Sequence, residues 1–450
     1  MVTKKLKSIV SSFSSDDDIF RTRQIQENEL PWIRSRHIWT GVLGTIYGTF
    51  LGPTGIYFTF FCFASGMSKY QLGIMASLVS FAVAFQIFSW VFEDFWGNRK
   101  YPWYIFSILS RLCLIPIVFS FWIPLGPLSI IALCFASAIF GNFAAPSWSS
   151  WLYDLISEDK LAGFMSRRSA VIQFFMMVIA LFAALAVQQS DQAHKMMIVR
   201  LVFTFGLILG IIDLFFHVQI PEPRKKTQEA KSDSLKVITQ PFSDKKFRQW
   251  MMIMLLWTAS INICEPFFIP YLMKDLGFEN RFVLLTLISV CLVQMSGFVS
   301  FLFWGKIIEK IGTRKVFLIC HCLWSVIPLF YLLSASVKPI LLISIAWIIT
   351  GIFVNGTTIV NPAITSILTK GKKRSTYLAV MTITSSMFGG LGTLIGSLIV
   401  KYFSIWHVFP VSLAARVFSF VVIYIVVTYK GIGDTAKETS RCRYVEQQML

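Results

Sequence analysis

Charged side chains are scarce in this sequence. Of its 450 residues, 14% are charged, whereas 55% are hydrophobic and 43 are Phe. Soluble domains carry about a quarter charged residues, so this composition excludes an ordinary soluble globular protein. The first 37 residues are polar, and the first apolar run therefore comes too late for a secretory signal peptide. We expect no cleaved leader.

Motifs of common catalytic sites are also missing. The sequence contains no G-x-x-x-x-G-K-[ST] phosphate loop, no H-E-x-x-H and no G-x-S-x-G, and its five His are scattered. Seven of its eight cysteines lie inside apolar runs, where thiols behave as small hydrophobic side chains. We therefore expect no ATP hydrolysis, no metal site, no cofactor and no disulfide framework. We predict that the protein is not an enzyme.

Long apolar runs are abundant instead. Stretches of 20 or more uncharged residues recur between Ile38 and Tyr429, and each can cross a hydrocarbon core of about 30 Å as a helix. They predict an all-α polytopic membrane protein with twelve spans. A polar break divides these spans into six and six. The predicted units are an N-terminal tail (1–37), a six-helix bundle (38–217), a linker (218–249), a second six-helix bundle (250–430) and a C-terminal tail (431–450).

The basic residues are distributed unevenly between the two sides of the predicted bundle. The tails and the loops after even-numbered spans hold 32 of the 41 Lys and Arg, whereas the loops after odd-numbered spans hold 6. Cationic loops stay on the cytoplasmic side. We therefore predict cytoplasmic termini and a multi-pass protein of the cell inner (plasma) membrane. The net charge of +18 reflects this topology and contact with anionic lipid, and it does not indicate nucleic-acid binding.

The two halves resemble each other in register. Pro146 and Pro362 lie 216 residues apart, as do Arg200 and Arg416, and a charged loop follows both the second and the eighth span. Because this spacing covers an even number of spans, the halves are predicted to have parallel topology. Parallel repeats of this kind are related by an axis along the membrane normal.

The loop after the eighth span carries a recognisable motif. Residues 305–315 read G-K-I-I-E-K-I-G-T-R-K, which resembles the G-x-x-x-[DE]-[RK]-x-G-x-[RK]-[RK] loop of the major facilitator superfamily, in particular its bacterial members. A degenerate copy spans residues 90–100. The resemblance implies two six-helix bundles that transport a solute by alternating access. Its motif positions here, which are the gating candidates, are Asp94, Gly97, Arg99, Gly305, Glu309, Gly312 and Arg314.

A carboxylate beside basic residues at a membrane interface can exchange partners when neighbouring helices separate. Such an exchange would make Glu309 a charge-based latch. The alternative is that Arg99 and Arg314 only satisfy the positive charge bias of the cytoplasmic side. The sequence leaves both interpretations open.

Ionisable residues inside a bilayer cost about 2.5–3.5 kcal/mol on insertion scales, so each needs a reason. Glu265 lies on the seventh span, which the resemblance implies lines the central cavity. Thr258, Asn262 and Glu265 are spaced i, i+4 and i+7 and share one helix face. Pro266 frees a carbonyl beside it, which is tolerated where protein or water satisfies it. These residues predict a substrate or proton site, and a structural buried carboxyl is the alternative.

Other polar residues within the spans are weaker candidates. Tyr57, Asn142 and Asn355 lie on the first, fourth and tenth spans, which the resemblance also implies line the cavity. An interhelical hydrogen bond worth about 1 kcal/mol explains such amides equally well. The other ionisable residues fall on spans expected to support the bundle from outside, and we interpret them as hydrogen-bonding structure within each half. They are Arg111, Arg200, Asp213 and Arg416.

The predicted function is secondary active transport of a small solute by alternating access, coupled to an ion. A transporter-like receptor or scaffold without transport is one alternative, and a polytopic membrane enzyme is another. The expected partners are a small-molecule substrate, membrane lipid, and a proton or sodium ion, with no nucleic acid. We expect a monomer.

Overall fold

The protein is described here from a computed structural model, which places residues 22–156, 158–223, 234–335, 338–369 and 374–430. Within these ranges, twelve helical stretches are long and apolar enough to cross a membrane. We number them as spans in chain order. They are Glu27–Ala64, Lys69–Trp96, Lys100–Val118, Pro127–Leu155, Gly163–Gln189, Lys195–Val218, Lys245–Asp275, Phe282–Phe301, Thr313–Ser334, Pro339–Leu368, Thr376–Tyr402 and Ile405–Tyr429.

Most spans are built from one or two helices, with short 3-10 or π segments where the backbone bends. The helices of the first half are Glu27–Glu29 (3-10), Leu30–Leu51, Ile56–Ala64, Lys69–Phe81, Ala82–Phe88 (3-10), Ser89–Trp96, Lys100–Val118, Pro127–Leu155, Glu158–Gln189 and Lys195–Val218. Those of the second half are Ser234–Ser243, Lys245–Asn262, Glu265–Phe267 (3-10), Phe268–Pro270, Tyr271–Asp275 (π), Phe282–Thr286, Leu287–Leu292 (π), Val293–Ile311, Thr313–Ser325, Ile327–Ser334, Pro339–Leu368, Arg374–Tyr402, Ile405–His407 (3-10) and Val408–Lys430.

The predicted all-α fold of two parallel six-helix bundles is confirmed. In the first half, the first span packs on the fifth and sixth, and the third packs on the fourth and sixth. In the second half, the seventh packs on the eleventh and twelfth, and the tenth packs on the eighth and ninth. The halves meet where the second span contacts the eleventh and the fifth contacts the eighth. The first α-helix begins at Leu30, within the region predicted as a tail.

A short two-stranded ladder lies beside the first half. Strand β1 (Thr22–Arg23), which precedes the first span, pairs in parallel with strand β2 (Glu222–Pro223), which follows the sixth. The side chain of Glu222 is buried and accepts hydrogen bonds from the backbone N–H groups of Arg99 and Lys100. These contacts fix the exit of the sixth span against the loop between the second and third spans.

The halves share one hydrophobic core only at one end of the bundle. We call the end that carries the loops after odd-numbered spans the odd-loop end, and the opposite end the even-loop end. Toward the odd-loop end, Phe60 of the first span and Phe282 of the eighth belong to a single cluster. Toward the even-loop end the cores are separate. Trp103 belongs to a first-half cluster and Trp250 to a second-half cluster.

Polar contacts between the halves, like the shared hydrophobic core, lie at or toward the odd-loop end. At the odd-loop end Lys69 pairs with Asp275 at 2.6 Å, and Gln188 Oε1 accepts a hydrogen bond from the backbone N–H of Val283 at 3.0 Å. Lys195 bonds Asn280, and Ser77 Oγ donates to the carbonyl of Gly390 at 2.8 Å. The bundle is therefore closed at its odd-loop end.

Candidate functional site

A cavity of about 740 Å³ lies between the two halves. The first span contributes Pro53 and Thr54, and the second contributes Ala76, Val79 and Ser80. The remaining lining residues belong to the second half. They are Met254, Trp257, Thr258, Ile261, Asn262, Glu265, Pro266, Phe268, Ile269, Trp324, Ile327, Tyr331, Ala346, Trp347, Thr350, Val354, Thr357, Thr358, Asn361, Thr393 and Arg416. A cavity of this size holds a small organic solute.

The seventh span breaks where it borders this cavity. Its first helix ends at Asn262, and a 3-10 turn restarts at Glu265. Pro266 has no N–H group and therefore cannot bond the carbonyl of Asn262. Thr393 of the eleventh span donates its hydroxyl to that carbonyl instead, at 3.3 Å. The eleventh span comes this close because it has glycine at Gly392, where a Cβ atom would lie 2.2 Å from the carbonyl oxygen of Ala259.

The break presents Glu265 to the cavity. Thr258, Asn262 and Glu265 all line it, as their spacing predicts. The Glu265 side chain is exposed there, and it takes part in no hydrogen bond or ion pair with any residue that the structure describes. Thr258 and Asn262 donate to carbonyls one turn earlier, at 2.8 Å each. The cavity thus contains one carboxylate that is open to a ligand, a proton or water.

Arg416 also lines this cavity, which corrects the expectation that the twelfth span only supports the bundle from outside. Its side chain is 1% exposed. The guanidinium donates to Ser412 Oγ, to the carbonyls of Trp324 and Ile261, and to Cys264 Sγ, at 3.2–3.4 Å. The expected hydrogen bonding within the half is present as well. Arg416 therefore hydrogen-bonds residues at the break in the seventh span, and it also borders the cavity.

Aromatic side chains supply much of the remaining wall, and the sequence analysis did not select them. Phe268 stacks on Tyr331 with ring centres 4.3 Å apart, and Trp347 packs edge-on against Phe268 at 5.9 Å. Asn361 lies on the tenth span, and its Oδ1 atom is buried without a hydrogen-bond partner among the described residues. An uncommitted amide oxygen beside flat aromatic faces suits a ligand that offers a donor group and a ring.

Tyr57 lies at a smaller cavity of about 270 Å³, nearer the odd-loop end. Its hydroxyl donates to the carbonyl of Ala180 at 2.7 Å, and its ring stacks on Phe282 with centres 6.1 Å apart. The two cavities share Thr54, Ile269 and Trp347. Tyr57 is therefore part of the contact between the first and eighth spans in this closed arrangement.

The two candidate asparagines lie away from the large cavity. Asn142 accepts a hydrogen bond from Gln86 of the second span at 2.8 Å, so it makes the interhelical bond that was the alternative. Asn355 donates to the carbonyl of Gly351 at 3.0 Å. It packs so closely on Gly297 of the eighth span that a Cβ atom there would lie 2.0 Å from its amide nitrogen.

The gating candidates lie in two loops whose arginines have different partners. Gly97 and Gly312 end their helices with positive φ angles of 71° and 84°, which glycine adopts without strain. Arg99 is buried and pairs with Glu222 and Asp154. In the other loop, Arg314 donates to the carbonyl of Thr428 at 3.0 Å. The exposed residues among the candidates are Asp94, Gly97, Gly305 and Glu309.

The other intramembrane charges of the first half form an ion pair and hydrogen bonds within that half. Arg111 pairs with Asp213 at 2.8 Å and donates to the carbonyls of Gly210 and Ser107. Arg200 donates to the hydroxyl and carbonyl of Ser120. This matches the expected hydrogen bonding within the half. Asp213 is 6% exposed and does not reach solvent.

Comparisons with known proteins agree with this architecture. The chain belongs to the major facilitator superfamily, whose family model matches residues 38–300 and 266–442. It is therefore a multi-pass membrane transporter by family, as the loop motif predicted. No curated protein matches its sequence.

Solved structures of three transporters share the fold. A variant of the nucleoside transporter NupG superposes with a TM-score of 0.68 at 13% identity, covering 88% of this chain and 98% of that one. The E. coli xylose transporter XylE in an inward-open conformation gives 0.62 at 12% identity, with coverages of 87% and 95%. An inward-facing bacterial homologue of the lysosomal transporter Spinster gives 0.60 at 13%, with coverages of 90% and 96%.

Proposed function

We propose that the protein is a secondary active transporter that moves a small solute by alternating access. The cavity between the halves and the closure at the odd-loop end support this proposal. The ion pair at this end is individually weak. Lys69 and Asp275 are 29% and 30% exposed, and ion pairs at such positions contribute about 1 kcal/mol or less. A closure of this kind can open and re-form without unfolding either half.

We propose further that transport is coupled to an ion, a proton or sodium, through Glu265. The observation that carries this proposal is the position of its carboxylate, which is exposed in the cavity and unbonded to any described residue. An intramembrane carboxylate is costly without a partner, so binding of a cation to it is favourable. Asn262 and Thr258 line the same wall and supply amide and hydroxyl groups beside it.

We propose that the protein lies in the inner membrane of the cell. In the proposed orientation, both termini and the even-loop end face the cytoplasm. The 32 basic residues assigned to that side support it, and we propose that they contact anionic lipid. In this orientation the structure is closed toward the outside. A cysteine introduced at Gln189 should be labelled by an impermeant thiol reagent in intact cells. Sites in the tails and the linker, such as Ser232 and Glu438, lie outside the described residues and should be protected.

The decisive experiment is uptake by the purified protein in liposomes. A panel that begins with nucleosides and xylose, the solutes named for transporters of the same fold, is tested with an imposed pH or sodium gradient. Glu265→Gln keeps the shape and removes the charge, so it should abolish gradient-driven accumulation while sparing exchange between equal pools. Glu279→Gln changes a surface carboxylate paired with Lys274 and should accumulate solute like the wild type.

Two results would favour a function other than transport. Solute binding without uptake would favour a receptor or scaffold of transporter-like fold, and chemical conversion of a solute would favour a membrane enzyme. Wild-type accumulation by Glu265→Gln, with an unchanged pH profile, would assign Glu265 a structural role.

A further inference from the structure

The first span, like the seventh, breaks inside the bundle. Its long helix ends at Leu51, and the next helix begins at Ile56. The last four carbonyl groups of an α-helix have no N–H partner within the helix. Within the described residues, the chain that follows supplies none, because Pro53 has no N–H group and the N–H of Gly55 donates to the carbonyl of Gly52 at 3.0 Å. The break therefore leaves uncommitted backbone oxygens at the negative end of the helix dipole.

Glycine keeps two of these oxygens, those of Gly48 and Thr49, open beside the smaller cavity of about 270 Å³. Gly48 and Gly52 both line this cavity, and because they have no side chain, they line it with backbone atoms. A Cβ atom at Gly52 would lie 2.4 Å from the carbonyl oxygen of Gly48. A Cβ atom at Gly55 would lie 2.9 Å from that of Thr49. Side chains at these positions would cover the oxygens, so the glycines form a cradle for a ligand that binds carbonyl groups.

The eighth span supplies hydroxyl groups to the same cavity. Thr286 lies at the end of a helix and Ser289 in the π segment that follows, and both line the cavity. Thr286 is fully buried, and its Oγ1 atom has no hydrogen-bond partner among the described residues. Tyr57 is near enough to influence it, but the Tyr57 hydroxyl donates to the carbonyl of Ala180 instead. Ser289 donates to the carbonyl of Leu285 at 2.7 Å, which leaves the lone pairs of its oxygen available. A buried hydroxyl without a partner is costly, so a ligand that binds Thr286 is favoured.

The chemistry of this wall selects the class of ligand. The described residues that line the cavity include no carboxylate, imidazole or basic side chain, so none of them binds a proton near neutral pH. Divalent cations are normally bound through one or more carboxylates. Neutral carbonyl and hydroxyl oxygens suit a monovalent cation, and in membrane proteins with broken helices unwound carbonyls and helix C-terminal ends hold sodium. The volume accommodates such an ion with several waters of about 30 Å³ each.

We propose that a sodium ion binds at the break in the first span. Its protein ligands are two carbonyl oxygens of the first span and two hydroxyl oxygens of the eighth, those of Gly48, Thr49, Thr286 and Ser289, and water completes its shell. Because the ion joins the first half to the second, it favours the arrangement that is closed at the odd-loop end. The site is separate from Glu265, which lines the larger cavity and not this one. The inference therefore goes beyond the proposed coupling through Glu265 and does not depend on it.

The test measures sodium directly and needs no knowledge of the solute. Radioactive sodium is bound to the purified full chain in choline chloride buffer and displaced with unlabelled NaCl, KCl or choline chloride. The wild type should bind it saturably, and NaCl should displace it at the lowest concentration. Thr286→Val keeps the shape and removes the hydroxyl, so it should weaken sodium binding about tenfold or more, as expected for a lost bond to a charged group. Because that hydroxyl makes no bond to a described residue, the sodium-free variant should be as stable as the wild type.

Conformation supplies a second measurement. Spin labels at Leu128 in the first half and Phe403 in the second, both highly exposed, report the distance across the odd-loop end in lipid nanodiscs. Sodium should raise the ratio of closed to open molecules by about 5- to 150-fold in the wild type, the usual range of coupling between two sites. Thr286→Val should need correspondingly more sodium for the same shift.

Thr59→Val is the matched control. Thr59 of the first span is as deeply buried as Thr286, and its hydroxyl also has no partner among the described residues. It lines neither of the two cavities, so this variant should bind sodium like the wild type. Glu265→Gln should also retain sodium binding, because its carboxylate belongs to the larger cavity.

The proposal is overturned if the wild type shows no saturable sodium binding, if KCl displaces sodium at a lower concentration than NaCl, or if Thr286→Val binds like the wild type. An equal loss in Thr59→Val would also overturn it. If Thr286→Val fails to fold, Ser289→Ala decides, because wild-type affinity in that variant contradicts the site. Loss of binding in Glu265→Gln alone would place sodium at Glu265, which supports the proposed function and refutes this site. A protein that binds sodium as described but transports nothing in liposomes would refute the proposed function and leave the site in place.

Discussion

The two halves of this molecule differ in how their intramembrane charges are partnered. In the first half Arg111 is paired with Asp213 inside the bundle. In the second half Glu265 and Arg416 both border the cavity, and neither has a partner of opposite charge within 4.0 Å among the described residues. A repeated sequence therefore does not imply a repeated role. Arg200, the first-half arginine without a carboxylate partner, bonds Ser120 and does not line the cavity. We therefore interpret the first half as a scaffold and the second as the half that carries the proposed site.

The largest effect that tests this comparison is on stability. Asp213→Ala leaves Arg111 buried without its carboxylate, and breaking one side of such a pair costs about 3–5 kcal/mol. The matched change in the second half, Glu265→Ala, removes a carboxylate that makes no bond with the described residues, so it should cost far less. Denaturation in mixed micelles measures both. An equal loss in the two variants would contradict the division into scaffold and site.

A second comparison concerns two glycines within the spans, Gly48 of the first and Gly392 of the eleventh. Gly392→Ala would drive a Cβ atom to 2.2 Å from the Ala259 carbonyl oxygen, whereas Gly48 has nothing within 4 Å of the equivalent position. Overpacking of this kind costs about 1–3 kcal/mol. Gly48→Ala should be neutral or slightly stabilising, because alanine favours helix by up to about 1 kcal/mol. The same unfolding assay ranks the two, and a greater loss in Gly48→Ala would contradict the observed difference in helix approach.

The smallest expected effect on stability is at the loops. Glu309 is exposed, so Glu309→Ala should leave the unfolding free energy within about 0.5 kcal/mol of the wild type. If Glu309 acts as a latch that is released in this state, the variant should still shift molecules toward the odd-loop-closed form, by about 5- to 150-fold. Thiol accessibility of cavity positions from the even-loop end measures this shift. Asp94→Ala is the matched change in the other loop, and unchanged accessibility in Glu309→Ala would favour a simple charge bias.

Much of the fold could be predicted because the membrane imposes strong constraints on the sequence. Each span requires about 20 apolar residues, so uncharged runs located all twelve, and the spacing of Arg200 and Arg416 revealed the repeat. Glu265 was found for the same reason, since a carboxylate in such a run is exceptional. The freed carbonyl was predicted from Pro266, but the break in the helix was not.

The rest of the site could not be predicted because a helix that is apolar on every side gives no periodic signal of which face points inward. Trp347, Tyr331 and Arg416 line the cavity through the rotation of their helices, which packing decides. The pairing of Arg111 with Asp213 has the same origin. These residues lie on different spans and about 100 positions apart, and only the presence of opposite charges within one half hinted that they meet.

The ladder between β1 and β2 bears on how the chain is made. Thr22 pairs with Glu222, and Arg23 pairs with Pro223, so the ladder joins the segment before the first span to the segment after the sixth. It can form as soon as the first half has left the ribosome, and it needs nothing from the second. Synthesis at about 5–20 residues per second leaves on the order of ten seconds or more before the chain is finished. During that interval the ladder can tie together the two ends of the first half before the later spans are made.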